Sequence, residues 1–347
     1  MTSLAALGFG PFFSRQLDLP AEAGLAPARV LADLGVRLLL DLGGEERSAL
    51  LPAALHGAAA VGDWVLCEPL EDGAAVLRRV LGRRSVLSRQ AAGTPTGEQV
   101  LAANVDLVLL VEPLVPGPNL RRLERMLASV RASGAVPAIL LTKADLCAEP
   151  EQVAREVSAV TGGAALRVIS ARAGRGLEAV HELIGPGTTA ALMGQSGVGK
   201  STLLNALRGG EVEAIGALDA EGRGRHVTTW RRLWALPSGG FLIDGPGIRE
   251  LQLWGGQGVV AAFADVATLA AGCRFSDCGH GEEPGCAVLG AVASGELEAG
   301  RLASYQKLSR EAAALAARHE VAARQAERRT GRIMERAMRD PQRKRGR

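Results

Sequence analysis

The 347-residue chain has no apolar run near the roughly 18 residues that a membrane-spanning helix needs, so no helical span and no membrane partner are expected. Its first residues, MTSLAALGFGPFFSRQ, lack a basic start followed by an apolar stretch and a small-residue cleavage site. A secretory leader is therefore not expected, and a cytoplasmic location is. Five cysteines are too few for a disulfide scaffold in a chain of this size. Lysine is scarcer still: Lys143, Lys200, Lys307 and Lys344 stand against 36 arginines. Where arginine has taken nearly every basic position, a retained lysine suggests a site that needs a compact ammonium on a flexible stem.

The charges that are present nearly cancel, at +3, and 47% apolar content supports two or three domains with real cores. The balance is uneven, because residues 321–347 carry +7 and the rest −4. This basic tail is expected to be helical or disordered until it meets a partner. From Val36 to Leu87, short apolar runs (VRLLLDL, AVGDWVLCEPL, AAVLRRVL) alternate with Gly and Pro punctuation, which predicts a small OB-like barrel. Arg78, Arg79, Arg83 and Arg84 lie near its end, and two readings stay open for them: a solvated face or an RNA-facing patch.

After Asn104 the pattern becomes strand, helix, strand. VDLVLLV, PAILL, LRVIS, TAALM, RLWAL and FLI read as strands, and LRRLERMLASVRA, EQVAREVSAV, GLEAVHELI and TLLNAL as helices. Such alternation predicts a mainly parallel sheet with ligand loops at the strand C-termini.

Gly194-Gln195-Ser196-Gly197-Val198-Gly199-Lys200-Ser201, followed by Thr202, matches G-x-x-x-x-G-K-[ST] between a predicted strand and a predicted helix. Glycines let backbone N–H groups wrap phosphates, Lys200 reaches the β- and γ-phosphates, and the Ser201 hydroxyl binds Mg²⁺. Thr142-Lys143-Ala144-Asp145 fits a guanine-reading [NT]-K-x-D box. Asp145 can accept from guanine N1–H and N2–H₂, a pair of donors that adenine does not offer, while the Lys143 stem covers the base. Ser170-Ala171 fits the loop whose N–H meets guanine O6. Asp244-Gly245-Pro246-Gly247 matches D-x-x-G, with Asp244 on Mg²⁺ through water and the Gly247 N–H sensing the γ-phosphate. Between them, Thr228 and Thr229 are switch candidates and His226 a candidate for positioning water. Where many GTPases place a water-orienting Gln after D-x-x-G, this chain has Ile248, which predicts slow hydrolysis completed from outside.

The order of these boxes departs from the usual one, since the guanine box at 142 and Ser170-Ala171 precede the phosphate loop at 194. The expected domain is thus a circularly permuted GTPase, whose sheet keeps its contacts while the chain ends move to a surface loop. Farther on, Cys273-x₄-Cys278-x-His280-x₅-Cys286 offers three thiolates and an imidazole, a closed tetrahedral set suited to one structural Zn²⁺.

Barrel, permuted GTPase and Cys₃His module, in that order, resemble the bacterial ribosome small subunit-dependent GTPase A family (RsgA, also called YjeQ). The resemblance rests on AVGDWV, EQVLAANVDLVLLV, LLTKADL, GQSGVGKSTLLNAL, GRHVTT, DGPGIREL and CRFSDCGHGEEPGCAV. It implies a slow GTPase that binds the small ribosomal subunit and its rRNA late in assembly, is stimulated by it, and leaves after hydrolysis. This sequence departs from the family pattern at HVTT, usually HTTT, and at DGPG, usually DTPG. Gly197 stands where potassium-activated GTPases have Asn, so potassium dependence is not inferred. The expected chain is a monomer, divided into an N-terminal extension (1–35), an OB-like barrel (36–92), the permuted α/β GTPase domain (93–258), a helical zinc-binding domain (259–320) and a basic tail (321–347). The competing expectation is a non-catalytic RNA-binding module that uses GTP only as a structural ligand.

Overall fold

The computed structural model describes residues 3–18, 21–91, 98–210, 231–244, 251 and 256–344. Strands β1 (Ala26–Asp33), β2 (Arg37–Asp41), β3 (Glu46–Leu50), β4 (Trp64–Pro69) and β5 (Ala75–Val80) form a barrel in the order β1-β2-β3-β5-β4, closed by β4 pairing with β1. Only β3 and β5 run parallel. Five short strands closed in this way are the OB-like barrel expected. Its interior is filled by alternate residues, Ala28 and Val30, Leu38 and Leu40, Val65 and Cys67, Ala75 and Leu77, as a period of two requires.

The barrel begins earlier than the sequence suggested, because β1 lies inside the stretch read as an extension. Pro27 and Arg29 break its apolar pattern, and Arg29 is nevertheless fully buried. The guanidinium of Arg29 donates to the Leu7 carbonyl, and to Thr189 Oγ1 at 2.6 Å. It also lies over the rings of Trp64 and Phe241. Burial lowers its pKa to about 10. Helix α1 (Pro11–Ser14) follows Phe9, and Phe9 and Phe13 pack on Trp64, so residues ahead of the barrel cover its outer face in the core shared with the second unit.

Each of the four arginines near the barrel's end has an acidic partner in this chain, while Arg78, Arg79 and Arg84 stay partly exposed. Arg78 pairs with Glu68, Arg79 with Glu22, Arg83 with the buried Asp63 and Arg84 with Asp106. Gly62, just before Asp63, has φ +90° and faces the Ala103 carbonyl so closely that a Cβ would sit 2.2 Å from it. Only glycine fits there.

A hairpin, β6 (Val86–Gln90) and β7 (Glu98–Ala103), leads into the second unit. There β8 (Leu107–Pro113), α2 (Leu120–Ala132), β9 (Val136–Thr142), α3 (Pro150–Ser158), β10 (Ala165–Val168), α4 (Leu177–Leu183), β11 (Thr189–Met193), α5 (Lys200–Arg208), β12 (Arg232–Ala235) and β13 (Phe241–Asp244) follow. The sheet order is β10-β9-β8-β11-β13-β12, parallel except for β12. β12 meets β1 at Ala32↔Arg232, so one eleven-stranded sheet runs from this unit into the barrel. Strand β8 is buried along its whole length, its odd positions facing α4 and α5 and its even ones α2. Helix α2 starts where Asn119 accepts from the Arg122 N–H at 3.0 Å, and it buries Leu123, Met126, Leu127 and Val130, the helical spacing of a core-facing stripe.

Helices α6 (Gln257–Ala262), α7 (Ala264–Ala270), α8 (Ala287–Ser294) and α9 (Ala299–Lys344) complete the chain. Leu302, Leu308 and Ala312 of α9 join the same core as α2. Arg301, Glu124 and Asp265 lock the junction: Arg301 donates to Glu124 Oε1 and to both Asp265 oxygens, each at 2.9 Å, and Ser304 donates to Glu124 Oε2 at 2.5 Å.

Candidate functional site

The sheet order places the nucleotide-binding candidates at one edge. β9 ends in Thr142, β11 ends just before Gly194, and the single strand β8 separates them, while β13 flanks β11 on the other side and ends in Asp244. In parallel sheets, ligands bind at this C-terminal edge.

Gly194 follows β11 so close to β8 that a Cβ would lie 2.5 Å from the Val111 carbonyl. Gln195, Ser196 and Gly197 are exposed, and Val198 is buried against the face of β8 that carries Val111. Gly197 and Gly199 have φ of +79° and +103°, which L side chains rarely adopt. The loop can therefore turn its N–H groups outward at the start of α5, a ready anion cradle. Lys200 Nζ donates to the carbonyls of Gly194 at 2.8 Å and Gln195 at 2.5 Å, which holds the ammonium over the loop. Ser201 and Thr202 are exposed in the first turn of α5.

On the other side of β8, the hydroxyl of Thr142 donates to the Val198 carbonyl at 2.7 Å. Thr142 thus ties the guanine box to the phosphate loop. Lys143 is left-handed, at φ +61°, and this turns the chain so that Asp145 is exposed. Ser170 Oγ donates to Asp145 Oδ1 at 2.5 Å, and the Ala144 N–H donates to the Ile169 carbonyl at 3.2 Å, so the two base-reading loops are one unit. The Ser170 hydroxyl, with smaller help from the backbone and from Arg175 and Arg172, holds the Asp145 carboxyl below the usual carboxylate range. The pair is thus pre-set as an acceptor for N–H donors. Ala171 follows Ser170 and packs against the α4/α5 side of the sheet.

His226, Thr228, Thr229 and Gly247 lie outside the described residues, as does Ile248. Asp244 is partly buried and stands in the Arg232↔Asp244 register pair.

Cys273, Cys278, His280 and Cys286 converge, with their ligand atoms all within 4.8 Å of one another. Cys273 Sγ lies 3.6 Å from His280 Nδ1 and 3.8 Å from Cys286 Sγ, and Cys286 Sγ lies 3.5 Å from His280 Nδ1. Donors set tetrahedrally about 2.0 to 2.3 Å from one centre lie roughly 3.5 to 3.8 Å apart, so these four could hold a single metal ion. Sequence reasoning found the ligands but missed their supports. Glu283 accepts from the N–H groups of Gly279 and Gly281, at 2.9 and 2.7 Å, and so frames His280, whose φ is +57°. Gln306 of α9 donates to the His280 carbonyl at 2.6 Å. The only sequence signal for Glu283 was its place in the turn between ligands. Gln306 had none, because it comes from a helix twenty residues beyond Cys286.

A third residue missed is Glu112, wholly buried at the C-terminal end of β8. Arg122 of α2 grips it with two N–H groups, Nε at 3.1 Å and Nη2 at 2.5 Å. An acidic residue ending an otherwise apolar strand was the available signal.

The sequence from residue 80 to 254 matches the family model described as RsgA GTPase. The small ribosomal subunit biogenesis GTPase RsgA of Opitutus terrae is 44% identical over 345 residues, covering 94% of each chain. Its counterpart in Methanosarcina acetivorans is 45% identical over 254 residues, covering 72% of this chain and 69% of that one. Among solved structures, YjeQ from Thermotoga maritima shares 26% identity at a TM-score of 0.63, covering 83% of this chain and 98% of that one. YloQ, described as a circularly permuted GTPase, shares the fold at 23% identity and a TM-score of 0.60, with 84% and 96% of the two chains covered.

Proposed function

The chain belongs to the RsgA family of GTPases, hydrolases acting on GTP, and from this premise we propose that it binds the small ribosomal subunit and its rRNA late in assembly and leaves when GTP is hydrolysed. The observation that carries the reading is the Thr142–Val198 hydrogen bond, which joins guanine box and phosphate loop across β8 despite their reversed order in the chain. The names of the relatives, small ribosomal subunit biogenesis GTPases, supply the partner.

In this reading Thr142, Lys143, Asp145, Ser170 and Ala171 select guanine, while residues 194–202 take the phosphates. Ser201 and Asp244 would hold Mg²⁺, which would offset the negative charge of the phosphates. His226, Thr228, Thr229 and Gly247 sense the γ-phosphate and place water, and with Ile248 unable to hydrogen-bond, the subunit completes the site. Cys273, Cys278, His280 and Cys286 hold one structural Zn²⁺, a choice favoured by three thiolates, one imidazole and no carboxylate. The protein acts as a cytoplasmic monomer. Family membership favours this cycle over a non-catalytic RNA-binding module.

Co-sedimentation with purified small subunits tests the partner. Retention with a non-hydrolysable GTP analogue and loss with GDP is the expected result; equal retention in both would remove the nucleotide-dependent cycle.

A further inference from the structure

The mechanism leaves one buried charge unexplained. Glu112 is wholly inaccessible, so it touches no nucleotide. Leu110, on the same face of β8, and Leu114, just past its end, are apolar and pack in the core that includes Leu123 and Leu127 of α2. An apolar residue at 112 would fill that core at no desolvation cost, whereas a buried ion pair adds little stability beyond what packing gives. What a bidentate pair adds is direction, since apolar contact is not directional.

The direction is imposed where the two halves of the nucleotide site meet. The Glu112 carbonyl lies 3.3 Å from Thr142 Oγ1, and the Leu114 N–H donates to the Thr142 carbonyl at 2.9 Å. The preceding residue, Val111, sets how near Gly194 can come. Residues 111 to 114 thus seat both the first residue of the guanine box and the first residue of the phosphate loop. Arg122, which grips Glu112, is fixed in its turn: it lies in the first turn of α2, where its N–H is capped by Asn119. Farther along the helix, Glu124 is held by Arg301, and Arg125 pairs with Glu311 through two bonds of 2.5 Å.

We propose that Glu112, acting through its pair with Arg122, is a positioning residue for guanine-nucleotide binding: it fixes the end of β8 so that Thr142 and Gly194 are held at the right separation. The assignment rests on the nucleotide site described above.

Full-length Glu112→Gln, Arg122→Met and the apolar pair Glu112→Leu/Arg122→Met are compared with the parent by titration with a fluorescent GDP, steady-state GTP turnover and thermal melting. Loss of a charged hydrogen-bond pair at a supporting position should raise the GDP Kd and the GTP KM about tenfold in either single variant, with kcat at saturating GTP within about twofold of the parent. The apolar pair should recover the melting temperature while its GDP Kd stays raised, a split that a packing role would not produce. GDP affinity unchanged in the singles, or recovered together with the melting temperature in the pair, would overturn the proposal. If Glu112→Gln does not fold, the Arg122 variant and the apolar pair still decide. Lys200→Ala separates this failure from that of the site itself: if it binds GDP as tightly as the parent, the phosphate-loop assignment is wrong and the positioning role falls with it.

Discussion

The Thr142 hydroxyl lies 2.7 Å from the Val198 carbonyl, so a residue on β9 and a residue in the loop after β11 meet over the end of the strand between them. Both are buried, Thr142 at 3% and Val198 at 4% exposure. A hydrogen bond in such a place is worth about 1 kcal/mol net, and leaving the carbonyl unsatisfied costs about 1 to 3 kcal/mol.

Thr142→Val keeps the shape and removes the donor, so GDP should bind roughly five- to thirty-fold more weakly. Thr142→Ser should stay near the parent. Isothermal titration reads both, and loss in Thr142→Ser with Thr142→Val at the parent affinity would show that the methyl group, not the hydroxyl, matters.

Ser170 predicts a pH effect. Guanine recognition needs the Asp145 carboxylate, so affinity is full above the Asp145 pKa and falls as pH drops through it. Because the Ser170 hydroxyl holds that pKa below the ordinary value, the acid limb of GDP binding should lie below the range of an ordinary aspartate. In Ser170→Ala the acid limb should move to higher pH. A limb that stays in place would mean that Ser170 does not tune the carboxylate.

Arg301 and Glu124 join α9 to α2, and both are buried, at 4% and 0% exposure. Arg301→Met leaves the Glu124 carboxylate to Arg121 and Ser304 and should cost about 1.5 to 3 kcal/mol, whereas replacing both charges by apolar groups should restore most of it. Denaturant unfolding measures the stability. Hydrogen exchange should locate the loss in α7, α8 and the start of α9 rather than in β8, and uniform loosening would argue against a local junction.

The metal cluster predicts stoichiometry. Purified protein should carry one zinc per chain by elemental analysis, and Cys286→Ser should lose it. Cys286 also caps α8, its Sγ accepting from the Leu289 N–H at 3.4 Å, and the serine hydroxyl can keep that cap, so the change reports on the metal. GDP binding should persist, because no cluster residue touches the nucleotide edge. Full metal content in Cys286→Ser would remove that thiol from the ligand set.

The chemistry-bearing loops were legible because each obeys a local rule. The phosphate loop, the guanine box and the Cys₃His spacing are short, and their spacing is dictated by the ligand. The parallel sheet could be read from its apolar runs. What escaped depends on distant partners. β1 falls in the stretch read as an extension; Arg29 interrupts its apolar pattern, and the Leu7 carbonyl, Thr189, 160 residues on, and two aromatic rings explain its burial. For Arg78, Arg79, Arg83 and Arg84 a solvated face and an RNA-facing patch stayed open, and their acid partners, which lie across the barrel and its flanks, could not be read from spacing. Glu112, Glu283 and Gln306 support the sites through contacts that no spacing encodes.

The most direct test of the cycle is GTP turnover by the purified protein, alone and with small subunits, large subunits or bulk RNA. Slow turnover alone, rising by orders of magnitude only with small subunits, is the predicted result. Turnover that stays flat with every partner would contradict a subunit-stimulated GTPase.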